Sequence, residues 1–106
     1  MGKYLIQVNY SAAGMQGLMK EGAASRVAYV TGVIEAAGGT VESFNFAFGD
    51  RDAYVVFDAP DEAAVTGLTL AVGASGAVSL STVKLLTAAE VDAGIARAAS
   101  YRPPGS

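Results

Sequence analysis

Two β-strands joined by a short turn occupy the middle of the chain and constrain its fold more than any other feature. On both sides of the turn every second residue is apolar: Phe44, Phe46 and Phe48 before it, and Ala53, Val55 and Phe57 after it. A period of two is typical of strands with one buried face. The turn residues Gly49–Asp52 favour a tight reversal, and Pro60 ends the second strand. Residues 41–48 and 53–58 are therefore predicted to form an antiparallel hairpin.

The N-terminal part of the chain predicts a strand followed by a long helical region. Lys3–Tyr10 is the strand, and its core face is predicted to carry Tyr4, Ile6, Val8 and Tyr10. Apolar residues then recur at helical spacing over Ala12–Ala37. Glycines weaken that region by about 1 kcal/mol each relative to alanine, so a break near Gly22 is predicted. Gly38 and Gly39 end the helical region.

The C-terminal part predicts a helix, a strand and a last short helix. Asp61 is placed to cap a helix that reaches Ser75, and the fourth strand covers Val78–Leu86. Thr87, followed three residues later by glutamate, is a capping-box pattern, which predicts a helix to about Ala99. The tail 101–106 contains two prolines and is expected to be extended.

The order of elements is therefore βαββαβ with an added terminal helix. Right-handed crossovers turn this order into a ferredoxin-like α+β fold, a four-stranded antiparallel sheet with helices on one face. At 106 residues the chain has room for one domain, predicted to span residues 1–100. Nothing in the chain is left to cover the other face of the sheet, so function or assembly is expected there.

Composition favours self-association. Hydrophobic residues make up 52% of the chain and charged residues only 16%, against about 25% charged in typical domains. A small domain with so little charge is expected to bury part of its surface against another copy. A face-to-face dimer is the favoured arrangement, and a trimer built edge to edge is the alternative.

Charge and missing residue types exclude several classes of function. The net charge is −3, and the seven basic residues are scattered along the chain, so no nucleic-acid surface is expected. The chain has no cysteine and no histidine, so neither a metal site nor a cofactor is predicted. No apolar run approaches the roughly 18 residues of a membrane span. The N-terminus lacks a signal-peptide pattern, and a cytoplasmic location is expected.

The turn and the second helix resemble a known family. The run from Phe48 to Asp52, the following Tyr54-Val55-Val56 and the stretch Leu70–Gly76 are similar to the GYD domain. In its signature, Gly-x-Tyr-Asp, Gly49 and Asp52 match, whereas Arg51 stands in place of the tyrosine. The resemblance covers about residues 3–87. It implies a relative of the dimeric α/β-barrel proteins and no particular activity, and a role for the tyrosine ring does not carry over.

Polar residues predicted on the open face of the sheet are the candidate ligand-binding residues. They are Gln7, Asn9, Asn45, Tyr54 and, at the turn, Asp52. Two interpretations remain open for this face: a wet dimer interface, or a pocket with a few convergent polar groups. Asp52 and the adjacent Arg51 are interpreted either as turn residues whose side chains bond the backbone or as a base and an anion clamp.

Apolar residues on the same face are the candidate interface. Leu5 and Val56 would lie in water in a monomer, and burying each is worth roughly 1.5–3 kcal/mol. Tyr101 in the tail is either part of a frayed terminus or an anchor that docks on a neighbouring subunit.

Two functions of different classes follow from these residues. The first is a self-associating module that binds a small metabolite on its open sheet face. The second is a small cofactor-free enzyme of the dimeric-barrel kind, an oxygenase, isomerase or decarboxylase. In that case the acidity of the substrate would drive the chemistry, and Tyr54 and Asp52 would position the substrate.

Overall fold

The computed structural model describes the whole chain, Met1–Ser106, and contains four strands and four helices. In chain order they are β1 (Gly2–Tyr10), α1 (Ala12–Glu21), α2 (Ala23–Ala36), β2 (Thr40–Phe46), β3 (Ala53–Ala59), α3 (Glu62–Ala74), β4 (Val78–Leu85) and α4 (Ala88–Ala96). The predicted α+β order is confirmed.

All four strands belong to one antiparallel sheet with the spatial order β2-β3-β1-β4. The first and third strands of the chain are therefore central, as the ferredoxin-like arrangement predicts. Leu5 lies opposite Val56 on β3 and opposite Val83 on β4, which fixes the register. A bulge between Val41 and Ser43 shifts the pairing of β2.

One face of the sheet carries the core. Its buried residues are Tyr4, Ile6, Ile34, Val55, Phe57, Ala59, Val65 and Leu68. They come from β1, β3, α2 and α3, so the core sits near the N-terminal end of β1, under α2 and α3. Phe57, 1% exposed, stacks on Tyr4 with 5.8 Å between ring centroids. The predicted core face of the first strand is thus confirmed at Tyr4 and Ile6, whereas Val8 and Tyr10 are only half-buried.

Local signals in the sequence explain the helix ends. The helical region breaks at Gly22, whose φ of 95° suits glycine and ends α1 before α2 begins. Asp61 accepts a hydrogen bond from the Ala64 N–H and caps α3. At α4 the Thr87 side chain and Glu90 form both bonds of the capping box. The predicted break and the two predicted caps are all present.

Two predicted boundaries are wrong by a few residues. β2 ends at Phe46 and not at Phe48, because Phe48 adopts a left-handed φ of 58° and belongs to the turn. The Ala47 N–H still donates to the Asp52 carbonyl, which closes the hairpin. The last helix ends at Ala96, three residues before the predicted end at Ala99.

Residues 86–106, called the C-terminal arm below, project from the domain. The arm contains α4 and the tail, and every one of its residues is exposed. Its large apolar side chains are Leu86, Val91, Ile95 and Tyr101. The radius of gyration is 17.0 Å, against about 13 Å for a compact domain of this length. The arm therefore presents apolar surface that the rest of the chain does not cover.

Candidate functional site

A pocket of about 680 Å³ lies between the core face of the sheet and the helices. It extends from the core along β1 through Ile6 and Val8 to Tyr10, at the C-terminal end of the strand. Val8, Val55 and Leu80 form its floor, and residues of α1, α2 and α3 form its walls. Eighteen of its 24 lining residues are hydrophobic. It is the one pocket of the molecule, and it lies on the face opposite the predicted ligand-binding residues.

Small residues in the helices shape the pocket. Gly14 is buried against the turn before β4, where a Cβ on it would come within 2.0 Å of the Ala77 carbonyl oxygen. This close approach brings α1 onto the end of the sheet, and the Ser11 N–H bonds the same carbonyl at 2.9 Å. By contrast, a Cβ on Gly17 or Gly67 would meet no atom within 4 Å. These two glycines therefore leave space in the walls of the pocket.

An ion pair supplies the charged part of the lining. The Arg26 Nε and Nη2 groups both donate to Oε1 of Glu21, at 2.9 and 2.6 Å. The guanidinium also lies over the Tyr29 ring, 5.0 Å from its centroid. The pair joins the last turn of α1 to the first turn of α2 across the break at Gly22. The ion pair therefore links α1 and α2 where both helices line the pocket.

Tyr10 is the polar group on the floor of the pocket. Its backbone N–H is used in the fold, donating to Oδ2 of Asp52 at 2.8 Å, whereas its hydroxyl stays available. Burial raises the pKa of this hydroxyl above its usual value; Arg26 opposes the rise, and Asp52 and Glu21 add to it. The hydroxyl is therefore protonated near neutral pH and can donate a hydrogen bond.

Three of the predicted polar residues of the open face, Gln7, Tyr54 and Asn45, form one row across the sheet. Gln7 pairs with Tyr54, and Tyr54 pairs with Asn45; Ser81 on β4 completes the row. Asn9 lies one row further along β1, opposite Ser79. These residues form a polar strip on the face opposite the pocket, and ligand binding by them stays a prediction.

Asp52 does not join that row. Its side chain turns to the backbone of Tyr10, and its own N–H donates to the Val8 carbonyl at 2.8 Å. Both contacts fasten the turn to the end of β1, which fits the interpretation of Asp52 as a residue that holds the hairpin. No group of three or more acidic side chains comes together that could hold a metal ion.

The predicted interface residues Leu5 and Val56 lie side by side in an apolar row that Val83 extends onto β4. Leu5 and Val56 are half-buried by their neighbours, and Val83 is 37% exposed. Beyond this row, Lys3 pairs with Glu42 at 2.6 Å, and this hydrogen bond raises the pKa of the lysine. Tyr101 is 79% exposed and lies in the arm, apart from the row.

No helix of the structure has the length and apolar character required to cross a bilayer.

Sequence reasoning missed the pocket and its polar residues Tyr10, Glu21 and Arg26. Tyr10 was predicted on the core face, but only as a packing residue. The usable signal was a combination: glycines inside helices at Gly17 and Gly67, and a tyrosine at the end of an apolar strand face. Neither feature indicates a pocket by itself, since glycine also marks a helix break.

Comparison with known proteins identifies the family. Residues 4–95 match the family model described as GYD domain, which covers most of the chain and extends into α4. The chain therefore belongs to the GYD family, and the resemblance noted in the turn and at the end of α3 is confirmed. No curated protein and no solved structure matches the chain.

Proposed function

We propose that this GYD-domain protein binds a small, largely apolar molecule between its sheet and its helices. The observation that carries the proposal is the pocket of about 680 Å³ with its hydrophobic lining. Ligand pockets in proteins have volumes of about 300–1,000 Å³ and are mostly apolar with a few polar groups. The pocket fits that description in size and in chemistry.

The glycines in the pocket walls support the same proposal. Gly17 and Gly67 lie inside α1 and α3, where alanine would be about 1 kcal/mol more favourable for each helix. The structure offers no steric reason for glycine at either position, because a Cβ would meet no atom within 4 Å. The space that they leave open has a use if a ligand fills it. Burial of the ligand's apolar surface would then offset the cost to the helices.

A pair of glycine substitutions tests the proposal with an uncharged dye. N-phenylnaphthylamine fluoresces more strongly in apolar surroundings, and we expect it to bind the parent protein. Gly67→Leu places a side chain at the pocket wall and is expected to weaken dye binding at least about fivefold, by excluding the ligand from apolar surface that it would otherwise bury. Gly32→Leu is the matched control. It also replaces a helix glycine with open space around it, but Gly32 does not line the pocket.

The two variants separate the pocket from the rest of the surface. Both substitutions improve helix propensity, so neither is expected to lose affinity through unfolding, and circular dichroism checks this. Equal dye affinity in both variants and the parent would contradict the proposal, because the dye would then bind elsewhere.

A second proposal, self-association through the open face, is favoured by a separate observation. The apolar row of Leu5, Val56 and Val83 lies on the face of the sheet that no helix covers. Burying a large apolar side chain is worth roughly 1.5–3 kcal/mol, so pairing of two such rows would stabilise a dimer. The exposed apolar side chains of the C-terminal arm add further surface of the same kind.

Charge introduced on the row tests this second proposal. Leu5→Glu is expected to convert the oligomer to monomer in sedimentation-velocity experiments, with the fold retained. Leu70→Glu is the matched control, since Leu70 is 66% exposed on α3, on the helical side. A Leu5→Glu protein with the mass of the parent oligomer would show that another surface associates. A monomeric parent would refute self-association itself.

A cofactor-free enzyme remains the alternative hypothesis. The residues assigned to it from the sequence are separated in the structure. Tyr54 lies in the polar row of the open face, whereas the Asp52 carboxylate is engaged by the Tyr10 backbone. Binding without chemistry is therefore the preferred proposal.

A further inference from the structure

The charges of the pocket are already paired with one another. Glu21 and Arg26 are the two ionised side chains in the lining. Two guanidinium N–H groups of Arg26 donate to a single carboxylate oxygen of Glu21, and the guanidinium stacks on Tyr29. An anionic ligand that approached Arg26 would have to lie beside the negative charge of Glu21. A cationic ligand that approached Glu21 would meet Arg26 in the same way.

An ionised ligand in the apolar part of the pocket would also lose hydration, and the charges nearest to it, Glu21 and Arg26, already neutralise each other at the partly exposed side of the pocket. Removing a charge from water costs several kcal/mol unless an opposite charge and hydrogen bonds replace the water. The remaining walls are mostly apolar side chains and offer no such replacement. The pocket is therefore unfavourable for carboxylates, phosphates and amines.

Of the three hydroxyl groups in the lining, that of Tyr10 is the one best placed for a ligand. Ser75 Oγ already donates to the Val72 carbonyl and accepts from the Ala77 N–H, and Tyr29 is 61% exposed, whereas Tyr10 is half-buried. The Tyr10 hydroxyl is protonated near neutral pH, as argued above, and it can donate to or accept from a ligand oxygen. A neutral oxygen loses far less on leaving water than a charged one, so one hydrogen bond to Tyr10 suffices to orient it.

We propose that the pocket selects uncharged molecules that have an apolar body and one hydroxyl or carbonyl oxygen, which hydrogen-bonds to the Tyr10 hydroxyl. This inference rests on the proposed function, since it names the class of ligand for the same pocket. Phenols, alcohols and ketones of modest size belong to the class. The corresponding acids and amines do not.

Three probes with one apolar body test this selectivity: naphthalene, naphthol and naphthoate. At neutral pH the first two are uncharged and the third is an anion. Fluorescence titration of the parent protein is expected to give the tightest binding for naphthol, about fivefold tighter than naphthalene, as one net hydrogen bond predicts. Naphthoate is expected to bind at least about tenfold more weakly than naphthol because of its charge.

Two variants assign the selectivity to named residues. Tyr10→Phe keeps the ring but removes the hydroxyl. It is expected to lower the affinity for naphthol to that for naphthalene and to leave the affinity for naphthalene unchanged. Glu21→Gln leaves the Arg26 charge unpaired and is expected to raise naphthoate affinity at least about fivefold, with little change for naphthol. An advantage of naphthol that survives Tyr10→Phe would overturn the assignment to Tyr10.

The outcomes distinguish failure of this inference from failure of the proposed function. If naphthoate binds the parent most tightly and Gly67→Leu weakens it, the pocket binds ligands but the proposed class is wrong. If none of the three probes binds, or if Gly67→Leu affects none of them, the pocket is not a ligand site and both proposals fail.

Discussion

The contact between Gly14 and the turn before β4 determines where α1 lies, and a pair of alanine substitutions measures it. In an ordinary helix interior, glycine to alanine stabilises by about 1 kcal/mol. At Gly14 the new Cβ would lie 2.0 Å from the Ala77 oxygen and 2.9 Å from the Ala77 carbonyl carbon. Both are backbone atoms, so no side chain can rotate away. The helix must move by about 1 Å to reach the 3.0 Å that such contacts require.

That movement has a cost that can be estimated. It would stretch the bond between the Ser11 N–H and the Ala77 oxygen, now 2.9 Å, and a lost hydrogen bond costs about 0.5–1.5 kcal/mol. Strain from overpacking adds about 1–3 kcal/mol. After the gain in helix propensity, Gly14→Ala is expected to destabilise the protein by about 1–3 kcal/mol. In a domain of this size each 1 kcal/mol lowers the melting temperature by about 4 °C.

Gly17→Ala is the matched control for this measurement. It lies on the same helix, one turn further on, and its Cβ would meet no atom within 4 Å. We expect it to raise the melting temperature by about 4 °C, so the two variants shift in opposite directions in thermal unfolding followed by circular dichroism. Stabilisation by Gly14→Ala equal to that by Gly17→Ala would refute the packing of α1 and, with it, this wall of the pocket.

Two further predictions concern pH. The Tyr10 pKa is raised mainly by burial, so its contribution to stability is complete below the ordinary tyrosine pKa of about 10 and is lost as the pH rises beyond it. In an absorbance titration of the tyrosines, Tyr10→Phe should remove a tyrosine that ionises above the ordinary tyrosine pKa. If the variant instead loses a tyrosine that ionises at the ordinary pKa, the prediction is contradicted. The Glu90 pKa is lowered, chiefly by its hydrogen bond from the Thr87 backbone, so α4 should keep its cap at neutral pH and fray as the pH falls through that lowered pKa. In amide-exchange measurements, Glu90→Gln should abolish this acid transition, and its persistence would show that another group causes it.

The elements that could be predicted from the sequence are those with local causes. The hairpin follows from a period of two and a glycine-containing turn, and the break at Gly22 follows from a residue that tolerates positive φ. The cap of α4 follows from the three-residue spacing between Thr87 and Glu90. The core face of β1 follows as well at Tyr4 and Ile6, because the period-2 alternation assigns its apolar side chains to one face.

The pocket could not be predicted because its cause is not local. It depends on how far α1, α2 and α3 lie from one another and from the sheet, and no periodicity encodes that separation. A glycine inside a helix, such as Gly17, looks the same in the sequence whether it only weakens the helix or also leaves space for a pocket. The end of β2 was missed for a related reason, since Phe48 continues the alternation although its backbone has already entered the turn.

The most direct test of the central claim is to locate the bound probe by methyl NMR. In a titration with naphthol, we predict shifts for the methyl groups of Val72 and Leu80, which line the pocket. The methyl groups of Leu5 and Val56 on the open face should stay unchanged. Shifts confined to Leu5 and Val56 would contradict the account and would place the ligand on the open face, beside Gln7 and Tyr54.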